Sequence, residues 1–324
     1  MDDELTRRAV TQALRAPSLH NIQPWLWRVG DGVVELHLDA SRRLPATDPL
    51  DRELVISCGA ALHHLQVALA GLGCGARVRR LPDPADPNHL ATVTTVPRVV
   101  EDDLALTPFL ARRRTDRRRY SGWPVPPETL GELAEVADLR GLVLTVAADP
   151  EQRRRVYRAA TRAATAAGAD PARVAETAAW SGRPAGADDG VPAAAAAEVA
   201  PIPGQVPMRS FARPTLAQPP APGEPEGAAL LVLSTPGDTR LQWLRAGEAL
   251  SALLLTATRA GLSTCTLTEL LESDEARALL AEALLGSAQL RPQVMIRAGW
   301  PLVGAAELPA TPRRPPEAVI VAGP

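Results

Sequence analysis

Six arginines fall within eight residues at Arg112-Arg113-Arg114-Thr115-Asp116-Arg117-Arg118-Arg119, in a chain of 324 residues whose formal net charge is only −2. The chain has no lysine, so all 35 of its Lys/Arg positions are arginine. Any phosphate or carboxylate held by a side-chain cation is therefore held by a guanidinium. That planar fork bonds two oxygens at once and keeps its charge at any physiological pH. The same absence excludes a Walker-type phosphate loop, a pyridoxal Schiff base and any lysine nucleophile or base. By charge density alone the run is either a solvated basic patch of the kind that meets nucleic acid, or a clamp for a bound phosphate.

A second stretch, Pro17-Ser18-Leu19-His20-Asn21-Ile22-Gln23-Pro24-Trp25, is dense in groups that both donate and accept: a hydroxyl, an imidazole and two amides. Two prolines stiffen it and a tryptophan anchors its end. It is either a polar loop that caps the preceding helix or a rigid edge for a planar heterocycle. His20 is either a proton donor or a partner that fixes the loop.

The elements that must position these groups are legible in outline. The composition is globular, 46% hydrophobic and 3% aromatic, so the core must be aliphatic. A pI near 6.3 and few aromatics argue against general nucleic-acid binding. Cys58, Cys74 and Cys265 have no paired spacing, so neither a disulfide framework nor a metal site is expected. The start of the chain lacks a signal-peptide core and no run approaches 18 apolar residues, so a cytoplasmic protein without a membrane span is expected. Periodicity predicts a helix before Pro17, a hairpin over Trp25–Leu38 with its turn at Gly30-Asp31-Gly32, and a long apolar helix over Glu53–Ala70. Short strands follow near 77–81 and 91–96. Beyond Glu101 come a helix leading into the arginine run, a helix opened by Pro126-Pro127, a strand at 141–147 and two alanine-rich helices. A strand at 229–234, a helix at 239–260, a short helix and a strand at 293–298 complete the reading. His63 and His64 read as interior histidines of the long helix. Residues 181–227 carry ten prolines and no periodic pattern, and read as a lid or a flexible insertion.

Gly59 and Gly247, 188 positions apart, each read as opening a long helix that another glycine closes fourteen residues on, at Gly73 and Gly261. Each stretch is flanked by strands, so the chain reads as two similar α+β halves, 1–104 and 105–324, with their long helices buried against each other. An interface of that kind is a natural place for a ligand pocket.

PSLHNIQPW resembles the PSxxNxQPW element of the flavin-dependent nitroreductases. Arg113-Arg114-Thr115-Asp116-Arg117, followed by Pro124 to Leu130, resembles that family's arginine motif and the helix after it. Ala260-Gly261-Leu262-Ser263-Thr264-Cys265 is similar to its glycine turn near the flavin ring, and Pro312-Arg313-Arg314-Pro315 to its C-terminal basic element. The order of the motifs is similar to that of the Acg-like branch, in which one chain mimics the family's dimer. Trp180-Ser181 to Pro192 resembles the start of that branch's lid. The resemblance implies a nitroreductase-like α+β pseudo-dimer with one complete FMN site per chain. It places Arg113, Thr115 and Arg117 on the phosphate, ribityl chain or pyrimidine edge, with Arg117 near N1 and O2. It brings Ser18, Asn21 and Gln23 from the other half, gives the backbone N–H groups of Gly261 and Leu262 to the ring, and completes the phosphate grip with Arg313 or Arg314. It further implies hydride transfer from NAD(P)H to flavin N5 and on to a nitroaromatic, a quinone or a similar acceptor. Two rivals stand beside it: a storage protein that holds FMN under a closed lid without turnover, and an arginine-rich nucleic-acid-binding protein.

Overall fold

The computed structural model describes residues 3–30, 32–184, 186–198, 206–218, 226–284 and 289–322. Asp31 of the expected turn, and 185, 199–205 and 219–225 of the expected lid, lie outside the described residues. In chain order the helices and strands are α1 (Asp3–Ala13), β1 (Trp25–Gly30), β2 (Val33–Leu38), α2 (Arg52–Gly71), β3 (Gly75–Arg80), β4 (His89–Val96), α3 (Glu101–Leu106), α4 (Pro127–Asp138), β5 (Val143–Val146), α5 (Pro150–Ala169), α6 (Pro171–Ala179), β6 (Ser181–Arg183), β7 (Val191–Pro192), β8 (Ala229–Thr235), α7 (Arg240–Arg259), β9 (Ser263–Leu267), α8 (Asp274–Leu284), β10 (Arg291–Gly299), α9 (Pro316–Val319) and β11 (Ile320–Ala322). Compactness does not divide the chain at 104/105. One unit gathers Met1–Arg113, Thr239–Thr256 and Pro312–Pro324; the other gathers Arg114–Asp238 and Ala257–Thr311.

The first unit is built on a five-stranded sheet in the order β11-β1-β2-β4-β3. Trp25, Trp27 and Val29 on β1 and Val34, Leu36 and Leu38 on β2 are all buried, as period-two alternation requires of a sheet with one covered face. The C-terminal strand β11 adds to β1 in parallel, Trp27 opposite Ile320. This pairing brings the tail beside the first loop, and no local pattern announces it.

Helix α2 is apolar on every side and almost wholly buried, which is the behaviour of a core helix. By length and composition it could cross a membrane, with a mean hydropathy of 1.5 over its apolar window, contrary to the expectation that no run is apolar enough. Since 89% of that window is buried within protein, its apolar faces are already occupied. It crosses α7 at Gly59 and Gly247, which lie inside their helices and do not open them as expected, because their role is close backbone approach and not helix initiation. A Cβ on Gly59 would lie 2.1 Å from the Leu244 carbonyl oxygen, and one on Gly247 would lie 2.0 Å from that of Ile56. Both positions must be glycine for the backbones to approach so closely. Below the crossing, Arg80 grips Glu248 with two bonds of 2.7 and 2.8 Å, and Gln66 adds a third at 3.0 Å.

The second unit has an antiparallel sheet in the order β5-β8-β10-β9. Val232, Met295, Cys265 and Leu267 of this sheet pack on Val156, Ala160 and Ala163 of α5 and Leu280 and Leu284 of α8. The described part of the insertion is fastened to this unit. Val206 and Met208 pack on the same core. Ser181 accepts from the Ala212 N–H at 3.0 Å, Gln218 accepts from the Arg119 N–H at 3.0 Å, and Arg209 pairs with Glu272.

Candidate functional site

Of the six arginines in the run, only Arg112 is exposed. Arg118, which a solvated reading would place at the surface, is buried against Asp116 by two bonds of 2.8 and 2.9 Å. An aspartate two residues ahead makes that burial tolerable, because a buried charge needs a close, well-bonded counter-charge. Asp116 also accepts from Ser263 at 3.2 Å, and the Arg118 side chain reaches the Ala306 carbonyl at 2.7 Å. A solvated basic patch is therefore not what these residues form.

In the first unit the structure brings together Ser18, Asn21, Gln23, Arg113, Arg313 and Arg314. Arg113 is buried and donates to the Arg15 carbonyl at 3.5 Å. Arg313 donates to that same carbonyl at 3.1 Å, and also to the Leu14 and Ala16 carbonyls at 2.8 and 3.1 Å. Two guanidiniums, distant in sequence, thus meet at the C-terminal end of α1, where free helix carbonyls favour positive charge. Arg313 further donates to Asn21 Oδ1 at 3.0 Å. Arg314 turns the other way, to Asp39 at 3.2 Å, while its backbone N–H donates to Gln23 Oε1 at 2.8 Å. The side chains of Asn21 and Gln23, expected to face a ligand, thus also lace the tail to the loop.

The loop itself is strained. His20, Asn21 and Gln23 have φ of 47°, 55° and 54°, three non-glycine residues in the left-handed region within four positions. Such conformations cost free energy and persist where surrounding structure enforces them, often at binding sites. Ser18 Oγ accepts the Gln23 N–H at 3.0 Å, Ser57 Oγ accepts the Leu19 N–H at 3.1 Å, and the Cys58 thiol donates to the Pro24 carbonyl at 3.3 Å. Helix α2 is the anvil on which the loop is shaped.

Behind it lies a buried network that the sequence reading treated only as interior histidines. His63 Nε2 faces Asp103 at 3.4 Å, and His63 Nδ1 lies 2.7 Å from Ser251 Oγ. His64 Nδ1 lies 2.8 Å from the same oxygen and 3.0 Å from the Ala60 carbonyl. That carbonyl can only accept, so His64 Nδ1 carries the proton and Nε2 is a lone-pair acceptor. Nε2 is buried and has no hydrogen-bond partner among the described residues. Burial, and next the charge of Arg113, push the His64 pKa well below its ordinary value, and Arg313 acts in the same direction. The only signal for this group in the sequence is a pair of histidines in an otherwise apolar helix.

In the second unit, Thr115 lines a small cleft, with room for about one water molecule, together with Arg114, Ala194, Ala195, Leu308, Pro309 and Thr311. Arg117 donates to the Ala195 carbonyl at 3.0 Å and lies 4.8 Å from the centre of the Phe211 ring, so the insertion covers its guanidinium. Burial works against its charge. Gly261 is left-handed, φ 83°, and ends α7. Its N–H donates to the Thr258 carbonyl at 3.1 Å and that of Leu262 to the Ala257 carbonyl at 2.9 Å. These two N–H groups close the helix, because the last turn leaves carbonyls that need donors. Beside these bonded N–H groups the turn also presents the bare Cα of Gly261.

The sequence profile of the nitroreductase family matches residues 110–300. A Mycobacterium tuberculosis protein named "Putative NAD(P)H nitroreductase Rv3131" is 45% identical over 320 residues, covering 97% of this chain and 90% of the relative. The chain belongs to the nitroreductase family. It is an oxidoreductase of α+β nitroreductase-like fold. A second relative from the same organism, "Putative NAD(P)H nitroreductase acg", is 37% identical over 96% of this chain and 94% of its own length, which places the Acg-like branch among the kin of this nitroreductase. A nitroreductase with bound FMN from Bacteroides fragilis superposes with a TM-score of 0.39 and 14% identity over 62% of this chain and 90% of its own, too slight a likeness to carry an argument. The matched span begins three residues before Arg113 and includes Gly261, while the polar loop and Arg313 lie outside it.

Proposed function

We propose that this nitroreductase is an FMN-dependent oxidoreductase of the cytoplasm that takes reducing equivalents from NAD(P)H, with one flavin per chain gripped at its phosphate by Arg113 and Arg313. The observation that carries this is the meeting of two guanidiniums on the Arg15 carbonyl beside a strained polar loop. The helix carbonyls offset their charge only in part, and an anion would neutralise the remainder. The residue types fit FMN: guanidiniums for a phosphate, and the lone pair of His64 Nε2 for a hydroxyl of the kind a ribityl chain bears. Arg313 has acceptors for all five of its N–H groups, the Pro312 carbonyl at 2.9 Å among them, so it would exchange carbonyl partners for phosphate oxygens on binding. Arg314 is already neutralised by Asp39, which favours Arg313 as the second phosphate ligand.

Ser18, Asn21 and Gln23 keep the loop in its strained shape and present its polar edge. Thr115 is assigned to the ribityl chain by its place in the family's arginine motif. Arg117 supplies the fixed cation for the pyrimidine edge, where negative charge accumulates on reduction. Gly261 lets the ring approach backbone, and Leu262 bounds it. FMN, when bound, supplies hydride exchange between a nicotinamide and an electron-poor acceptor such as a nitroaromatic or a quinone. The relatives named NAD(P)H nitroreductases support this donor and acceptor class.

The rival reading, storage without turnover, draws on the insertion that covers Arg117. Anaerobic addition of NADPH or NADH to the FMN-loaded protein separates the two. Loss of the visible flavin absorption, restored by a quinone, is expected. Colour that persists with both donors would overturn the enzymatic reading.

A further inference from the structure

We propose that the outer face of the first unit's sheet carries a site for a divalent transition ion of the zinc class, built from Glu35, His37 and His89. One ligand atom from each lies within 4.8 Å of the others. The chain's cysteines play no part, and spacing gives little warning, because His89 reaches Glu35 and His37 only through strand pairing.

The pairing is itself informative. Val34, Leu36 and Leu38 of β2 are buried on the core side, so Glu35 and His37 share the opposite face. On β4, Ala91 and Val93 are buried and Thr92 and Thr94 are not, so strict alternation would send His89 to the core side. It does not arrive there. The register runs Leu36 opposite Ala91 and then His37 opposite His89, leaving Leu90 as the extra residue of a bulge. Leu90 enters the core with no exposed surface, and His89 comes out beside His37. Bulges re-aim side chains in this way and recur at functional positions.

The local contacts match those of a metal site. Glu35 Oε2 and His37 Nε2 are 3.0 Å apart. Two ligands of a tetrahedral ion, with bonds of about 2.0–2.1 Å, sit about 3.3 Å apart. The rings of His37 and His89 stack with centroids 4.4 Å apart and 20° between their planes, which holds both imidazoles together on this face. The remaining nitrogens have outer partners: His37 Nδ1 faces Asp86 at 3.7 Å, and His89 Nε2 lies 3.0 Å from Thr92 Oγ1. Imidazole ligands of metals have the second nitrogen bonded to a carboxylate or another oxygen; Thr92 is at that distance from His89, and Asp86 stands just beyond it from His37. Two imidazoles and one carboxylate select a zinc-like ion over calcium or magnesium, which take oxygen shells, and leave a fourth position for water. Arg28, 3.9 Å from Glu35, is the cation that the ion displaces.

The test is a titration of the full chain, free of any histidine tag and dialysed against chelator, with Co²⁺ followed by visible ligand-field absorption, and then with Zn²⁺ in competition. We expect one ion per chain, displaced by Zn²⁺. Binding should be lost in His37→Ala and His89→Ala, weakened about tenfold in Thr92→Val and retained in Arg119→Ala. If an alanine variant fails to fold, His89→Gln serves in its place. Absence of ligand-field bands in the wild type, or bands unchanged in both histidine variants, would overturn the proposal. None of this rests on the flavin.

Discussion

Replacing Arg113 by alanine should weaken FMN binding by more than about 100-fold, while Arg119→Ala should change it by less than about threefold. Hydrogen bonds to charged groups are worth about 1.5–3 kcal/mol each, and loss of a two-pronged grip on phosphate removes two of them. Arg113 is buried at the end of α1, where Arg313 meets it, whereas Arg119 is only partly buried and its backbone N–H, not its guanidinium, bonds Gln218. Arg113→Lys should recover part of the affinity and not all of it, because an ammonium keeps the charge and loses the fork. Fluorescence titration of the apoprotein with FMN reads all three variants. Equal affinities for Arg113→Ala and Arg119→Ala would remove Arg113 from the site.

The second large effect is on stability. Gly247→Val should destabilise the protein by about 3 kcal/mol or more, measured by denaturant unfolding of the apoprotein. The added Cβ would sit 2.0 Å from the Ile56 carbonyl oxygen and close to the Gly59 Cα. These are backbone atoms, so no side chain can swing aside and the two helices must part. Overpacking costs about 1–3 kcal/mol where neighbours can yield, and more where they cannot. Parting the helices would also stretch the His63–Ser251 and His64–Ser251 bonds, which link α2 to α7 one turn beyond the crossing. Gly131→Ala is the control. Nothing lies within 4 Å of its added Cβ, and alanine favours helix over glycine by about 1 kcal/mol, so this variant should be as stable as the wild type or more so. Equal stabilities for the Gly247 and Gly131 variants would show that the crossing is looser than described.

The crossing also shows how far the sequence could be read. A matched pair of glycines at a fixed offset, each in a long apolar helix, is a local signal, and the helices do cross at those two residues. The helix ahead of Pro17, which stops at Ala13, the helix start at Pro127 and the alternation over Trp25–Leu38 were legible for the same reason: each is written in a few consecutive residues. What escaped was non-local. Strand β11 is three residues long and exists because β1 accepts it, and β9 begins immediately after a glycine turn that drew all the attention. The burial of Arg118 depends on Asp116 folding back upon it, and the bulge that re-aims His89 depends on register across two strands. In the candidate site, the residue types were legible and their present partners were not. Asn21, Gln23, Arg313 and Arg314 bond to one another and to backbone, and the N–H groups of Gly261 and Leu262 close a helix. Which of two adjacent arginines meets Arg113 is a matter of tail register, fixed by β11 and invisible in the tail's own sequence.

The central claim is a grip on phosphate, so the most direct test removes the phosphate and nothing else. The apoprotein is titrated in parallel with FMN and with riboflavin at one ionic strength. The account predicts about one FMN per chain and riboflavin binding weaker by more than 100-fold, a gap of about 3 kcal/mol. Equal affinity for the two flavins, with Arg113 intact, would contradict it.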